Sequence, residues 1–168
     1  MIQTATDADA AAIRAVQVQS WRETYPGIVP AAYLAALDAT PTEWQHNIAS
    51  GLGVLVALDD GDIVGFVAFG AQRDPKLLFT GEIHAIYLFA RVQKRGIGRA
   101  LMHAAARGLQ AGGHRNASLW AMAENTPALD FYRRLGARPV GTTSFDLEGV
   151  TIAEVAMAWD DLATLLDR

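Results

Sequence analysis

The spacing of apolar residues changes period along the chain, and each change marks an element. Ile2 to Ala5 predicts a short opening strand. Thr6 or Asp7 is placed to cap a helix from Ala10 to about Glu23, with Ile13, Val16 and Trp21 as its apolar surface. Pro26-Gly27 breaks that helix. Pro30 opens a second, short helix carrying Tyr33, Leu34 and Leu37, and Thr40-Pro41 begins a third that runs to about Ser50. The period then shortens. Val54 to Leu58 reads as a buried strand, Asp60-Gly61 as a hairpin turn and Ile63 to Phe69 as the partner strand, with Arg73-Asp74-Pro75 closing the pair. Glu82 to Leu88 is another strand.

Helical spacing returns from Gly96 to about Gln110, where Ile97, Leu101, Ala104, Ala105 and Leu109 form an apolar stripe that Gly112-Gly113 ends. Ser118 to Ala123 is a strand, and Thr126 to Leu135 a helix stopped at Gly136. Val140 to Leu147 and Val150 to Trp159 form a last hairpin about Glu148-Gly149, and Asp160 to Arg168 forms a short closing helix. This order predicts one α/β domain over residues 1–168: a mixed β-sheet flanked by helices, without linker or repeat.

Composition narrows the function classes. With 51% hydrophobic residues in 168, the chain can bury a full core and is not a disordered segment. It has no long apolar run and no basic N-terminal region followed by one, so a cytoplasmic protein without membrane contact is expected. The absence of cysteine removes disulfides, zinc–thiolate sites and a thiol nucleophile. A net charge of -4 argues against a general nucleic-acid binder. The histidines show no His-x-x-x-His spacing, so no metal is expected.

Against this acidic background, Gln93-Lys94-Arg95-Gly96-Ile97-Gly98-Arg99 concentrates positive charge, with Arg91 just upstream. It lies between a strand and a helix. Its glycines let backbone N–H groups converge at the helix N-terminus, a ready site for an anion such as a pyrophosphate. A Walker loop requires Gly-Lys-Ser/Thr, but Gly98 is followed by Arg99-Ala100. A dinucleotide fingerprint requires a third small residue where Leu101 stands. A glycine-eased turn under a solvated basic face explains the spacing equally well.

Two motifs together decide between these readings. Gln-x-x-Gly-x-Gly after the strand Glu82-Ile83-His84-Ala85-Ile86-Tyr87-Leu88 resembles the acetyl-CoA-binding motif of the GCN5-related N-acetyltransferase (GNAT) superfamily. Asn125-Thr126-Pro127-Ala128-Leu129-Asp130-Phe131-Tyr132-Arg133-Arg134-Leu135-Gly136 resembles that family's Asn-x-x-Ala-x-x-Phe-Tyr-x-x-Leu-Gly segment, in the family's order and at a similar separation. The resemblance covers nearly the whole chain. It implies central strands that splay apart and admit the pantetheine arm of acetyl-CoA onto the backbone of Ile86, Tyr87 and Leu88. It implies a pyrophosphate held on Lys94, Arg95, Gly96, Ile97, Gly98 and Arg99, and a contact from Asn125, which is equally suited to cap the following helix. The family often has proline where Ala90 stands, so a more flexible loop is expected there.

The resemblance also implies a transfer of acetyl from the thioester to a primary amine by direct attack in a ternary complex. The amine must be neutral, the developing oxyanion needs a donor, and the leaving thiolate benefits from a proton. Tyr132 matches the family tyrosine near the thioester sulfur, although a packed helix tyrosine would look the same from periodicity. Glu82 and His84, two apart on one strand, share a face and are the base candidates; their bland reading is a rim carboxylate and a core histidine. Ribosomal-protein N-terminal acetyltransferases place a Glu five residues before the Asn of the second motif, where this chain has Trp120. Trp120 is expected to wall an acceptor pocket instead, together with Trp21 and Tyr25, which share a helix face within Trp-x-x-x-Tyr-x-Gly-x-x-Pro, although large aromatics on such a face more often pack in the core. Glu23 is a further candidate for attracting a cationic amine, although an exposed helical Glu needs no function. The expected acceptor is a small-molecule amine, with a peptide or protein amine, or a silent acyl-CoA-binding module, as alternatives. The last hairpin offers strand edges for a homodimer.

Overall fold

In the computed structural model, which describes residues 1–168, the chain opens with strand β1 (Ile2–Thr4) and helices α1 (Ala10–Thr24), α2 (Ala31–Ala36) and α3 (Thr42–Ala49). The hairpin β2 (Gly53–Asp59) and β3 (Asp62–Ala71) follows, then β4 (Gly81–Leu88), α4 (Ile97–Ala111), β5 (Ala117–Met122) and α5 (Thr126–Arg134). The hairpin β6 (Arg138–Leu147) and β7 (Val150–Trp159) and a closing helix α6 (Leu162–Leu166) complete the chain. The strands form one seven-stranded sheet in the order β1-β2-β3-β4-β5-β7-β6. Every neighbouring pair is antiparallel except β4–β5, whose parallel run is made possible by the crossover through α4.

Alternation along the strands divides the core between two faces. On β2, Val54 and Val56 meet Ile13 and Val16 of α1 and Trp44 of α3. Leu55 and Ala57 turn the other way, into the larger core built with α4, α5 and α6. A third, smaller cluster joins Tyr25, Val29 and Leu34 to Met122 of β5 and Ile152 of β7. It sets the α1–α2 loop over the same sheet face as α1. No helix is long and apolar enough to cross a membrane.

The expected elements are all present, with shifted ends. The first helix is preceded by a 3-10 turn over Asp7–Asp9, where Thr6 and Asp9 cap each other: the Thr6 N–H donates to the Asp9 carboxylate at 2.7 Å. Strand β6 begins at Arg138 rather than Val140, because Pro139 sits in an edge strand where its missing N–H leaves only a register irregularity before Gly141. Strand β3 continues past Phe69 to Ala71.

Two irregularities position the site. The β4–β5 ladder ends after Gly81↔Ala117 and Glu82↔Ser118, while β4 stays paired to β3 as far as Leu88↔Gly65 and β5 to β7 as far as Met122↔Glu154. The two halves of the sheet therefore diverge, as expected. On the other side of β4, Ala85 pairs with Ala68 and Ile83 with Phe69, so His84 is an extra, bulged residue.

Phe69 also locks α4 against the sheet. A Cβ on Gly108 would clash with its ring, and one on Gly53 would stand 2.6 Å from it. Gly108→Ala gains about 1 kcal/mol of helix propensity but forces the ring out of its slot, at a cost of about 1–3 kcal/mol. Chemical denaturation of Gly108→Ala is expected to show a net loss of stability; a gain would show that Phe69 repacks freely.

Candidate active site

The loop before α4 is built to face an anion. Gly96 caps the helix with φ +84°, a conformation that costs glycine little, and Lys94 also takes a positive φ of 59°. The first turn closes with the Ala100 N–H donating to the Gly96 carbonyl at 3.0 Å. The N–H groups of Lys94, Arg95, Gly96, Ile97, Gly98 and Arg99 have no partner in the protein. Unpaired donors at a helix N-terminus, with the helix dipole behind them, form an anion cradle. The side chains are less free than their count suggests. Arg95 pairs with Asp59 at 2.8 Å, Arg91 lies over the Phe89 ring at 4.7 Å, and Arg99 reaches the main-chain carbonyl of Arg168 at 3.5 Å. Lys94 has neither an ion pair nor a hydrogen bond from its side chain.

The divergence of β4 and β5 leaves the backbone of Ile86, Tyr87 and Leu88 without a neighbour on the β5 side. One carbonyl there is taken: the Ser20 hydroxyl donates to Leu88 at 3.0 Å. At the expected proline position, the Ala90 N–H donates to the Glu23 carboxylate at 2.8 Å. Glu23 also accepts from Gln19 at 3.0 Å. This corrects two expectations. The loop is tied rather than loose, and Glu23 is a structural acceptor rather than an attractor for an amine.

Three phenols converge where the strands part. Tyr132, on α5, buries its ring in the larger core at 6.4 Å from Trp159, while its hydroxyl has no protein partner and reaches solvent. Tyr25, at the end of α1, packs edge-to-face on Trp21 with centroids 5.0 Å apart. Its hydroxyl lies beside the Asn125 side chain and the Tyr87 phenol. Burial, foremost, raises the phenols of Tyr25, Tyr87 and Tyr132, and the neighbouring phenols reinforce the rise at Tyr87 and Tyr132. All three stay protonated at neutral pH. The buried Trp21 Nε1 has no hydrogen-bond partner and sits by the Tyr87 phenol. Asn125 caps α5, its Oδ1 accepting from the Ala128 N–H at 3.3 Å, so the capping reading holds whatever else it contacts.

The two base candidates differ sharply. Glu82 is buried and fully engaged: its carboxylate accepts from the Arg73 guanidinium at 2.6 Å and the Arg73 N–H at 2.8 Å. His84 lies on the same side, its Nε2 4.0 Å from Glu82 and 3.1 Å from the Ala71 carbonyl. A carbonyl can only accept, so Nε2 carries the proton and Nδ1 is the open lone pair, without a protein partner. Burial lowers the His84 value; Arg73 adds to the fall, against the Ala71 bond and Glu82. Trp120, on β5, converges with Leu77 and Ala156 over Gly141, lining the sheet face that Tyr25 covers.

Sequence reasoning missed two participants. Arg73 read only as part of a strand-ending turn, yet its guanidinium and N–H both bind the Glu82 carboxylate. Glu154 read as one position of a hairpin strand. It lies opposite Met122, on the face covered by Tyr25, and its half-buried carboxylate has no hydrogen bond or ion pair.

The lowered His84 value has a sign that can be checked. The unfolded chain takes up a proton near the ordinary histidine value of about 6.5, and the folded chain only at lower pH. Stability contributed by neutral His84 is therefore complete above that value and is lost as pH falls below it. His103, also lowered by burial, adds slope in the same window. Urea unfolding of His84→Gln between pH 4 and 8 is expected to show a shallower acid slope than the parent. An unchanged slope would show that His84 ionises freely in the fold.

Comparison with known proteins agrees with this geometry. The model of the acetyltransferase (GNAT) family matches residues 15–137. An uncharacterized N-acetyltransferase of Bacillus subtilis, YuaI, is 37% identical over 160 residues, covering 93% of this chain and 92% of its own. Among solved structures, a ribosomal-protein-alanine N-acetyltransferase from Brucella melitensis superposes with a TM-score of 0.75 at 21% identity, covering 95% of this chain and 98% of that one. The acetyl-CoA-bound yncA from Salmonella typhimurium superposes with a TM-score of 0.73 at 19% identity, covering 96% and 93%. The diverging strands, the anion cradle and these matches agree: the chain belongs to the acetyltransferase (GNAT) family and is an acetyl-CoA-dependent acetyltransferase.

Proposed function

We propose that this protein transfers the acetyl group of acetyl-CoA to the primary amine of a small molecule, by direct attack within a ternary complex. The observation that carries this reading is the gap between β4 and β5, with six unpaired N–H groups at one end and the free Tyr132 hydroxyl inside it. The residues suit acetyl-CoA chemically. The Lys94–Arg99 cradle offers donors to a pyrophosphate, and the open edge at Ile86, Tyr87 and Leu88 offers backbone groups to the amides of a pantetheine arm. The thioester supplies the activated acetyl group.

Tyr132 then faces the leaving sulfur as a donor, and His84, neutral and with Nδ1 open, takes up a proton from the amine, directly or through water. Glu82 is the weaker base candidate, because Arg73 holds its carboxylate as a bidentate ion pair. A small acceptor fits the aromatic walls of Trp21, Tyr25 and Trp120 under the Pro26–Pro30 loop. A ribosomal-protein type of acceptor fits less well, since Trp120 stands where that pattern has its carboxylate.

Thiol release from acetyl-CoA across polyamines, amino acids, aromatic amines, aminoglycosides and short peptides tests the reading. Saturable release is expected with one class of small amine, and preference for peptides would overturn the acceptor assignment. Tyr132→Phe is expected to lower kcat on the order of 10²-fold, while acetyl-CoA affinity, measured by calorimetry, stays within about twofold. Unchanged turnover would remove Tyr132 from the reaction.

A further inference from the structure

Glu154 stands out among the acidic residues of the acceptor face because nothing in the protein answers its charge. It lies on β7, a strand paired on both sides, opposite Met122 of β5 and Thr143 of β6. Side chains opposite one another point to the same face. Met122 packs with Tyr25, Val29 and Ile152 in the cluster beneath the α1–α2 loop, so Glu154 shares that covered face. Its carboxylate forms no ion pair and no hydrogen bond, and it reaches solvent. An unpaired, half-buried carboxylate is costly in a folded protein. Burial raises its value, with no cation offsetting the rise, and its proximity in turn raises the Tyr25 phenol. Its cross-strand neighbours Met122 and Thr143 carry no charge.

Two arginines near this face are already engaged, while Lys76, beside Leu77, is exposed and unpaired. Arg73 is held by Glu82, and Arg22 donates to the backbone carbonyls of Leu34, Ala35 and Leu37. The face therefore carries aromatic walls and one half-buried carboxylate without an ion-pair partner.

The geometry points to Glu154 as the specificity-determining residue that receives the acceptor as an ammonium ion, so that this enzyme's acceptors are small aliphatic amines bearing positive charge and no carboxylate. This rests on the small-amine reading above and gives it a substrate class. It also assigns the carboxylate a purpose that packing does not supply, since an uncharged residue of the same shape would be less costly to bury.

The test uses three probes of matched length: butylamine, 1,4-diaminobutane and 4-aminobutanoate. Calorimetric titration into the protein saturated with CoA reads acceptor binding independently of turnover. The two cationic amines are expected to bind at least tenfold more tightly than 4-aminobutanoate. Glu154→Gln is expected to weaken them at least tenfold and to raise KM for both far more than it lowers kcat. It should leave CoA affinity unchanged and Tm equal to or above that of the parent. Glu154→Asp is expected to restore part of the affinity, and higher salt to weaken the parent but not Glu154→Gln. Tighter binding of 4-aminobutanoate, no binding of either cationic amine, or equal affinity in parent and Glu154→Gln would each overturn the assignment. Glu154-dependent diamine binding without thiol release would uphold this site and strike down the transfer reading instead.

Discussion

The site depends on one break in hydrogen bonding, where β4 and β5 stop pairing after Glu82↔Ser118. Backbone N–H and C=O groups inside a protein must find partners, and a sheet that opens in its middle leaves a row of them unanswered. The fold disposes of one of them internally, where the Ser20 hydroxyl donates to the Leu88 carbonyl at 3.0 Å. What remains is an edge within the sheet, protected from other chains by the helices on both faces and open only to a narrow ligand. The crossover from β4 to β5 through α4 places the helix N-terminus close to the same opening. One interruption therefore yields both a polar slot and an anion cradle.

The opening also governs the charges around it. Carboxylates near the splay fall into two kinds. Glu82 and Glu23 are consumed by the architecture, one by Arg73 and the other by the Ala90 N–H. Asp59 likewise holds Arg95, which trims the positive patch of the phosphate loop to fewer free cations than the sequence contains. The cradle relies instead on main-chain donors, whose direction is fixed by the helix and which cost no side-chain entropy to hold in place. Glu154 is half-buried and left unanswered. A close reading of the site thus turns on which charges are already spent, rather than on how many there are.

Much of this was legible in the sequence. The order of elements, the glycine loop ahead of α4, the Asn125 cap and the placement of Tyr132 follow from periodicity, turn chemistry and the paired motifs. The opaque parts share a physical cause: each depends on a long-range partner or on a single inserted residue. Glu82 and His84 were expected on one face by simple alternation. They do share it, but through a bulge at His84 that shifts the rest of β4, so Ile83 and Ala85 face opposite cores. Arg73 lies on a loop whose reach to Glu82 no local pattern encodes. Ala90 looked like the loss of a rigid proline, yet alanine restores an N–H that proline lacks, and Glu23 uses it. Glu154 occupied an alternating strand position that reads as a solvated face until the α1–α2 loop is seen above it.

Burial at the splay explains how acid and base are told apart without a dedicated relay. A phenol in water is a weaker acid than a thiol by about 1.5 units, and burial raises Tyr132 further. Transfer of its proton to a thiolate in water would be uphill. The same closed surroundings, however, penalise a thiolate as they penalise a phenolate, which narrows the gap between the two. In the proposed reaction Tyr132 therefore serves the sulfur first as a hydrogen-bond donor, and its proton moves only as the nitrogen gives one up. His84 is displaced in the opposite sense. Burial lowers its value, and in the proposed reaction it offers the amine an open Nδ1 at neutral pH. A donor that stays protonated and an acceptor that stays unprotonated are the two states the chemistry requires. Both follow from burial around the place where the strands separate.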